Sequence, residues 1–511
     1  MRNTFYLISI ICLTAQAVGS YFYHPLIWSF GLTVPVVLLG IYEVLQTKRT
    51  LMRNYPIVGR ARYWMEILRP KIYQYFVESD TDGTPISRII RNVVYQRAKK
   101  QLASTPFGTQ LDIYEPGYEW VNHSMNPLKL DAIDPNELRV SVGGSDCIKP
   151  YSLSIFNISA MSYGALSAQA IEALNWGAKE GNFAHNTGEG SASRFHLKRG
   201  GDLIWQIGTG YFGCRNEDGT FSAAKFAEKS NHPNIKMIEI KISQGAKPGH
   251  GGILPSQKNT PIIAEARGVE AWRRVESPSA HSAFSGNKEL LEFIKKLREL
   301  SGGKPIGFKI CMGSPSEFDD LCKTMVDTGI KPDFIAIDGG EGGTGAAPLE
   351  FSNSIGMSLK DGLVFASDYL NAYDLKKDIK IIASGKIMTG FDIIRNICLG
   401  ADACYTARGM MLALGCIQAL ECNSNHCPTG VATQNPSLAS GINVKEKHTR
   451  VFNYHHYTLE AVAEMLAAMG VGSTTQLGRT NLWRRISTNE ISSYEKLFPE
   501  KNVGSSLLTS A

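Results

Sequence analysis

The alternation of short apolar runs with helical stretches after Tyr151 restricts the fold of this chain more than any other feature of its sequence. Eight runs rich in Ile, Val and Phe follow one another, the first at Ser154–Ala160 and the last at Asp402–Thr406. Repeated strand–helix units favour a parallel sheet covered by helices. Eight such units over roughly 280 residues are typical of a (β/α)8 TIM barrel, so we predict an α/β protein of this class. A doubly wound open sheet is the alternative.

The N-terminal region is apolar and carries no Asp, Glu, Lys or Arg over residues 3–42. Phe5–Phe22 and Leu26–Leu45 are each about long enough to cross a bilayer. Five basic residues lie in Lys48–Arg62, whereas the connection between the two spans has none. The positive-inside rule therefore predicts a transmembrane helical hairpin with both ends in the cytoplasm. A signal peptide cleaved near Ala15-Gln16-Ala17 is the alternative.

These patterns predict four segments along the chain. We expect a transmembrane hairpin over 1–48, a small helical cap over 49–150, the barrel domain over 151–475 and a polar C-terminal tail over 476–511. The tail includes the low-complexity stretch Ser505–Ser510, and we expect it to be poorly ordered. The net charge of +6 is too small and too dispersed to indicate a nucleic-acid-binding protein.

Three of the ten cysteines lie within twelve residues, at Cys416, Cys422 and Cys427. A chain of 511 residues with few cysteines does not have the composition of a disulfide scaffold. Closely spaced thiolates more often hold a metal, and three without a regular fourth suit a three-iron cluster. A zinc site that also uses His426 and a set of buried structural cysteines remain the alternatives.

Glycine-rich turns follow several of the predicted strands, where a barrel places its active site. Glycine lets a flat cofactor approach the backbone, and turns before helices can hold a phosphate, so we infer FMN. Gly208–Gly213 fits G-x-G-x-x-G, but a polar turn follows it, which argues against a dinucleotide site. The candidate cofactor-binding residues are Ser162, Tyr163, Gly164, Gln206, Lys241, Lys309, Asp338, Gly339, Gly340, Gly342, Gly343, Ser384, Gly385, Lys386, Arg408 and Gly409.

Charged residues at the same strand ends suggest the chemistry of the site. Lys309 lies between apolar neighbours, so we expect it at the barrel mouth, where a cation could stabilise a reduced flavin. Lys247 and Arg267 could pair with substrate carboxylates. Glu189 is a candidate group for contacting an amine or ammonium.

Several ordered motifs resemble the FMN-binding synthase domain of the glutamate synthase family over about 154–434. They are Met161–Ser167 (MSYGALS), Asn186–Gly190 (NTGEG), Lys241–Gly252 (KISQGAKPGHGG), Asp338–Pro348 (DGGEGGTGAAP) and the cysteine stretch that ends in CPTGVATQ. The upstream segment 54–100 resembles the short, membrane-tethered, single-chain members.

The resemblance implies a barrel with FMN at its mouth and a [3Fe-4S] cluster on the three cysteines. It implies formation of glutamate from 2-oxoglutarate and ammonia. Gln244, Lys247 and Arg267 would hold 2-oxoglutarate. Glu189 would face the incoming ammonia, and Lys309 would contact the flavin ring. Glu189, Lys247 and Lys309 are therefore the expected catalytic residues.

Three departures from the family pattern bear on function. Ile253 stands where a glutamine normally follows the KPG-x-GG turn, and 384–390 reads SGKIMTG where DGGLKTG is usual. The N-terminal cysteine of a glutamine-hydrolysing domain is absent. We therefore expect no use of glutamine by the chain itself, a possible separate partner that supplies ammonia, and electrons from ferredoxin, another redox protein or a membrane quinol. An FMN-dependent oxidoreductase of another 2-oxo or 2-hydroxy acid and a non-enzymatic redox sensor are the alternatives.

Overall fold

The computed structural model describes residues 1–101 and 104–500, and the chain forms two compact units, Met1–Pro85 and Ile86–Ala511. The boundary at residue 85 falls inside the segment 49–150 that the sequence predicts as a cap. The stretch Ser505–Ser510, which we expected to be poorly ordered, lies outside the described residues.

The first unit is helical. Its elements are the helices Arg2–Phe22, Phe30–Leu45, Thr50–Asn54 and Arg60–Ile72, the 3-10 turn His24–Ser29 and the π-helical turn Tyr73–Val77. The segments Arg2–Phe22 and His24–Leu45 are long and apolar enough to cross a membrane, with mean hydropathies of 1.6 and 1.8. Thr33 Oγ1 donates to Gln16 Oε1 at 2.7 Å and so joins the two helices by a polar contact.

The second unit contains a closed barrel of eight parallel strands. The strands are β1 (Phe156–Ile158), β2 (His185–Asn186), β3 (Leu203–Ile207), β4 (Ile235–Lys241), β5 (Ile306–Ile310), β6 (Phe334–Asp338), β7 (Lys380–Ser384) and β8 (Ala403–Thr406). Each strand pairs with the next along the chain, and β8 pairs with β1. This closure confirms the predicted (β/α)8 barrel, and the open-sheet alternative is wrong.

Buried apolar side chains fill the amino-terminal half of the barrel, where Ile204, Met237, Phe334 and Ile382 pack together. The antiparallel hairpin Arg139–Val142 with Tyr151–Ser154 joins this cluster. The interior is therefore a packed core rather than a channel, and the polar groups are left at the opposite, carboxyl end.

Helices cover the outside of the barrel, and the longer ones, such as Ala168–Glu180 and Leu359–Ala372, bury one apolar face against it. The helices of this unit are Arg88–Ala98, Ala168–Glu180, Arg194–Leu197, Ala223–Ser230, Pro261–Arg267, Gly286–Leu300, Pro315–Thr328, Leu349–Ser354, Leu359–Ala372, Gly390–Cys398, Arg408–Leu414, Pro436–Ala439, Val444–Ala468 and Tyr494–Leu497. Ser167 and Thr389 cap the helices that they precede by accepting N–H groups of the first turn.

Two helices that the sequence pattern predicts, Gly409–Cys422 and one near Thr458–Met469, differ from the observed ones. A helix from Gly409 through Cys422 is wrong, because the helix Arg408–Leu414 ends at Gly415, which has a left-handed conformation (φ 110°) that glycine adopts without strain. The cysteine stretch is therefore a loop. The helix expected near Thr458–Met469 is the second half of the longer helix Val444–Ala468, which packs against Ala168–Glu180.

The described part of the C-terminal segment, 476–500, contains regular structure. Leu482–Ser487 and Glu490–Ser493 form a hairpin that adds to the strand Glu119–Val121. Trp120 and Trp483 stack across this sheet with ring centroids 6.4 Å apart. The partner strands lie far apart in the chain, so local sequence patterns give no direct sign of their pairing.

Candidate active site

Two buried ion pairs lie side by side at the carboxyl ends of β4 and β5. Lys241 and Lys309 are paired residues in the register of these two strands. Lys241 Nζ is 3.0 Å from Glu189 Oε1, and Lys309 Nζ is 3.4 Å from Asp338 Oδ2. Each ammonium group therefore has its own carboxylate, which offsets the repulsion between neighbouring buried cations. The structure brings these four predicted site residues together.

Glu189 fits between two glycines. A Cβ on Gly208 would lie 2.7 Å from Glu189 Oε2, and one on Gly252 would lie 2.6 Å from Glu189 Oε1. A side chain at either position would force the carboxylate to move. Gly208 opens the G-x-G-x-x-G motif, so in this structure the first glycine of that motif makes room for Glu189.

Three cations determine the charge state of Glu189. Burial opposes ionisation of this carboxyl group, but Lys241, Arg267 and Lys247 outweigh it and lower its pKa. Its side chain is 21 % exposed, so it still faces open space. Glu189 is therefore a carboxylate at neutral pH, able to accept hydrogen bonds and attract a cation.

Lys247 and Arg267 are buried cations without an ion-pair partner. Neither has a carboxylate oxygen within 4.0 Å in the part of the chain that the structure describes. Lys247 Nζ donates to Gly251 O at 3.2 Å, and Arg267 Nη2 donates to Tyr163 O at 3.3 Å. Burial lowers the pKa of both, and that of Arg267 to about 10. Both groups can gain from an incoming anion.

The turns that follow β1, β2 and β4 surround these cations. A Cβ on Gly164 would lie 3.2 Å from Arg267 Nη2, and one on Gly190 would lie 2.7 Å from the Cβ of Ser162. Gln244 is half-buried in the turn that also carries Lys247. The predicted residues of these three turns therefore belong to one region.

The turns after β4 and β6 touch through their backbones. Gly245 N donates to Asp338 Oδ2 at 2.8 Å, and a Cβ on Gly245 would lie 1.6 Å from Gly339 O. Gly339 N in turn donates to Ser384 O at the end of β7, at 2.9 Å. A Cβ on Gly340 would lie 2.8 Å from a backbone oxygen. The glycines make this close approach possible.

Two cations lie together at the ends of β7 and β8. Burial, with Arg408 nearby, lowers the pKa of Lys386. Arg408 Nη2 donates to Glu341 O at 2.6 Å, and a Cβ on Gly343 would lie 2.9 Å from Arg408 Nε. Gly385 has φ 141° in the same turn. A pair of cations beside exposed backbone suits an anionic group.

Three of the predicted cofactor residues have contacts inside the protein. Gln206 Nε2 donates to the buried Glu239 Oε1 at 2.6 Å. A Cβ on Gly409 would lie 2.4 Å from the Tyr454 hydroxyl, so this glycine allows close packing. A Cβ on Gly342 would lie 3.0 Å from a backbone oxygen of its own turn.

Glu239 and His281 are buried polar residues near the site that the sequence analysis missed. Burial raises the pKa of Glu239, against the effect of Lys309. His281 contacts Tyr211 Oη at 3.0 Å through Nδ1 and Lys241 O at 2.9 Å through Nε2. The sequence signal for Glu239 was its position as an acidic residue inside the apolar strand β4. His281 lies on an irregular segment and gave none.

The three cysteines lie close enough for their charges to interact. Burial raises the pKa of Cys416 to about 11, and the other two cysteines add to this effect. For Cys427, hydrogen bonds from Thr429 and from nearby backbone N–H groups outweigh burial and lower its pKa. His426 is exposed. Over 1–101 and 104–500, no three His, Cys, Asp or Glu side chains form a group that could hold a single metal ion.

Lys258 holds the cysteine loop and was not predicted. Its side chain is buried, and Nζ donates to Cys422 O at 2.8 Å and to Ala432 O at 3.0 Å. Burial lowers its pKa, while Cys422 and Cys427 act in the opposite direction. Lys258 thus places a positive charge beside two of the three thiols.

Comparisons with known proteins locate this site within a recognisable region. Residues 115–472 match the model described as the conserved region in glutamate synthase. The glutamate synthase large subunit-like protein YerD of Bacillus subtilis (strain 168) is 35 % identical over 508 residues, which cover 91 % of this chain and 96 % of YerD.

The archaeal glutamate synthase (NADPH) of Methanocaldococcus jannaschii is 32 % identical over 337 residues, which cover 65 % of this chain and 62 % of that protein. Among solved structures, a mandelate oxidase has a TM-score of 0.42 and 14 % identity, with 84 % of this chain and 96 % of that chain covered.

Proposed function

The chain belongs to the glutamate synthase family, and we propose that its barrel forms glutamate by reduction, from 2-oxoglutarate and ammonia. The observation that carries this proposal is the position of the ionised Glu189 among Lys241, Lys247 and Arg267. A carboxylate next to two cations without ion-pair partners can hold an ammonium ion and a dicarboxylate side by side. Reductive amination of a 2-oxo acid needs these two reactants next to each other.

Lys247 and Arg267 would bind the carboxylates of 2-oxoglutarate. Their burial without a carboxylate partner is unfavourable, and the substrate would relieve it. Arg267 can bind a carboxylate through two parallel N–H groups, whereas Lys247 acts as a point charge. Gln244, in the same turn as Lys247, would add a neutral donor that orients the substrate.

Glu189 and Lys247 would divide the proton chemistry between them. The lowered pKa of Glu189 makes it an anion that attracts ammonium. Once the ammonium has lost a proton to water, Glu189 would accept a hydrogen bond from the ammonia and orient its nitrogen toward the oxo carbon. The lowered pKa of Lys247 makes its ammonium a better proton donor to the departing oxygen. The charged groups are held by the glycine turns, so little rearrangement is needed when the substrate binds.

The strand ends fit FMN. The contact between Gly245 and Gly339 provides backbone without side chains, and Lys386 and Arg408 would bind the phosphate. Lys309, held by Asp338, would contact the ring. When bound, FMN supplies the two-electron reduction of the imino acid.

The cysteine loop is the second cofactor site that we propose. We propose a [3Fe-4S] cluster on Cys416, Cys422 and Cys427, because they are close enough for their charges to interact and N–H groups stabilise a thiolate at Cys427. Such a cluster transfers single electrons, so we propose ferredoxin or a similar redox protein as the donor. We further propose that residues 1–48 anchor the protein in the membrane, with the barrel in the cytoplasm.

The test measures glutamate formation anaerobically from 2-oxoglutarate and ammonium, with and without dithionite-reduced ferredoxin. We expect Lys247→Met to lower kcat/KM for 2-oxoglutarate about 100-fold, because the charge pair that Lys247 would form with a substrate carboxylate is lost. Glu189→Gln should chiefly raise KM for ammonium. Lys295→Met, which removes an exposed charge on a peripheral helix, should have no effect. Rates that do not increase with reduced ferredoxin would contradict the proposed donor and reaction.

Ile253 is the reason to include other acceptors in this assay. It is 38 % exposed and lies on the short strand Ile253–Leu254, next to the turn that carries Lys247. An aliphatic side chain cannot donate the hydrogen bond of the glutamine usual at this position. Faster reduction of oxaloacetate or pyruvate than of 2-oxoglutarate would assign the enzyme to another 2-oxo acid.

A further inference from the structure

A cavity of about 300 Å³ borders Arg267. Its walls are the segment after β2, the segment after β3 and the helix Pro261–Arg267. Its charged lining consists of five cations and one carboxylate, namely Arg194, Arg215, Lys225, Lys229, Arg267 and Glu265. Apart from Arg267, none of these residues has a part in the proposed reaction.

The five cations have no carboxylate partners. Within residues 1–101 and 104–500, no carboxylate oxygen lies within 4.0 Å of any of their nitrogen atoms. Arg194 and Lys225 are exposed to solvent, whereas Arg215 and Lys229 are half-buried and Arg267 is buried. Cations of this second kind are normally paired, because their separation from water is unfavourable. The cavity therefore has an excess of positive charge that the protein does not neutralise itself.

Three of these side chains have buried N–H donors that lack a charged hydrogen-bond acceptor. The Nε atoms of Arg215 and Arg267 are buried and have no hydrogen-bond partner among the described residues. Lys229 Nζ donates to a neutral acceptor, Ser191 Oγ, at 2.8 Å, and burial lowers its pKa. Both guanidinium groups lie over the ring of Phe212, at 5.6 and 5.0 Å, which holds them in place.

We propose that this cavity binds a small oxyanion with at least two negative charges, such as a dicarboxylate or a phosphate. Guanidinium groups bind planar carboxylates and phosphates through paired N–H donors, and Lys229 adds a point charge. The volume is at the lower end of that of ligand sites, which suits a small organic acid or an inorganic anion.

Arg267 belongs to both the cavity and the proposed substrate site. An anion in the cavity and a carboxylate in the substrate site would both bind the guanidinium group of Arg267. Binding at the two sites is therefore antagonistic, and the effect is equal in both directions. The cavity site itself depends on Arg215 and Lys229, so it does not require the proposed reaction.

The test is isothermal titration calorimetry on the full-length protein with inorganic phosphate and, separately, with 2-oxoglutarate. We expect Arg215→Gln and Lys229→Met each to weaken phosphate binding about tenfold, whereas Lys295→Met leaves it unchanged. Arg215→Lys keeps the charge and should retain part of the affinity, which separates loss of the site from loss of folding. Unchanged phosphate and 2-oxoglutarate affinities in the first two variants would overturn the proposal.

A second set of titrations identifies the source of the anion. The Lys247→Met variant weakens the proposed substrate site, so any 2-oxoglutarate that it still binds is held elsewhere. If the double variant Lys247→Met/Arg215→Gln loses this remaining binding, the cavity binds a dicarboxylate. If Arg215→Gln weakens the binding of phosphate but not that of 2-oxoglutarate, the cavity is a phosphate site. These titrations need no turnover, so failure of the glutamate synthase assay would leave their result intact.

Discussion

Replacing Lys258 with methionine tests how the cysteine loop is held. Methionine has a similar length but cannot donate to Cys422 O or Ala432 O. Two carbonyl groups would lose their donor, and each unsatisfied buried group costs about 1–3 kcal/mol. Removing the buried ammonium offsets part of this cost, because burial already disfavours its charge. The expected net loss of unfolding free energy is about 2–4 kcal/mol.

The assay for Lys258→Met combines urea unfolding with measurement of bound iron and sulfide after anaerobic purification. We expect a lower unfolding midpoint and less than half of the iron content, because the loop that carries Cys422 loses its anchor. Lys445→Met removes an exposed lysine close to the same loop in sequence and serves as the matched control. Wild-type stability and iron content in Lys258→Met would refute the assigned role.

Gly245→Ala should greatly reduce flavin content and lower the unfolding temperature, because its Cβ would lie 1.6 Å from Gly339 O. Gly345→Ala, whose Cβ would meet nothing within 4 Å, should leave both unchanged, and equal flavin content in the two variants would contradict this steric argument. Glu119→Gln should destabilise the protein by about 1–3 kcal/mol at pH 7, because burial of this carboxyl is outweighed by Lys360 and other partners that lower its pKa below 4.5. This contribution is present above the unfolded pKa and is lost as the pH falls through the lowered folded value, so acid unfolding curves of the variant and the wild type should converge below that value.

The sequence alone determined the architecture and indicated which strand ends would carry a site. Alternating apolar and helical stretches are local patterns, and each of the eight predicted strands overlaps an observed one, from β1 to β8. Residues at strand ends such as Glu189, Lys241 and Lys309 could be grouped because a closed barrel brings the carboxyl ends of its strands together.

Only the tertiary structure decided which polar side chains pair with one another and which keep N–H donors without an acceptor. Gln206 contacts Glu239, and Lys258 reaches a loop more than 160 residues away in sequence. The C-terminal hairpin likewise pairs with a strand that is distant in sequence, Glu119–Val121. Such contacts depend on side chains that meet only after the chain has closed, and no local pattern records them. The charge of Glu189 likewise follows from the cations that the folded barrel places around it, which outweigh its burial.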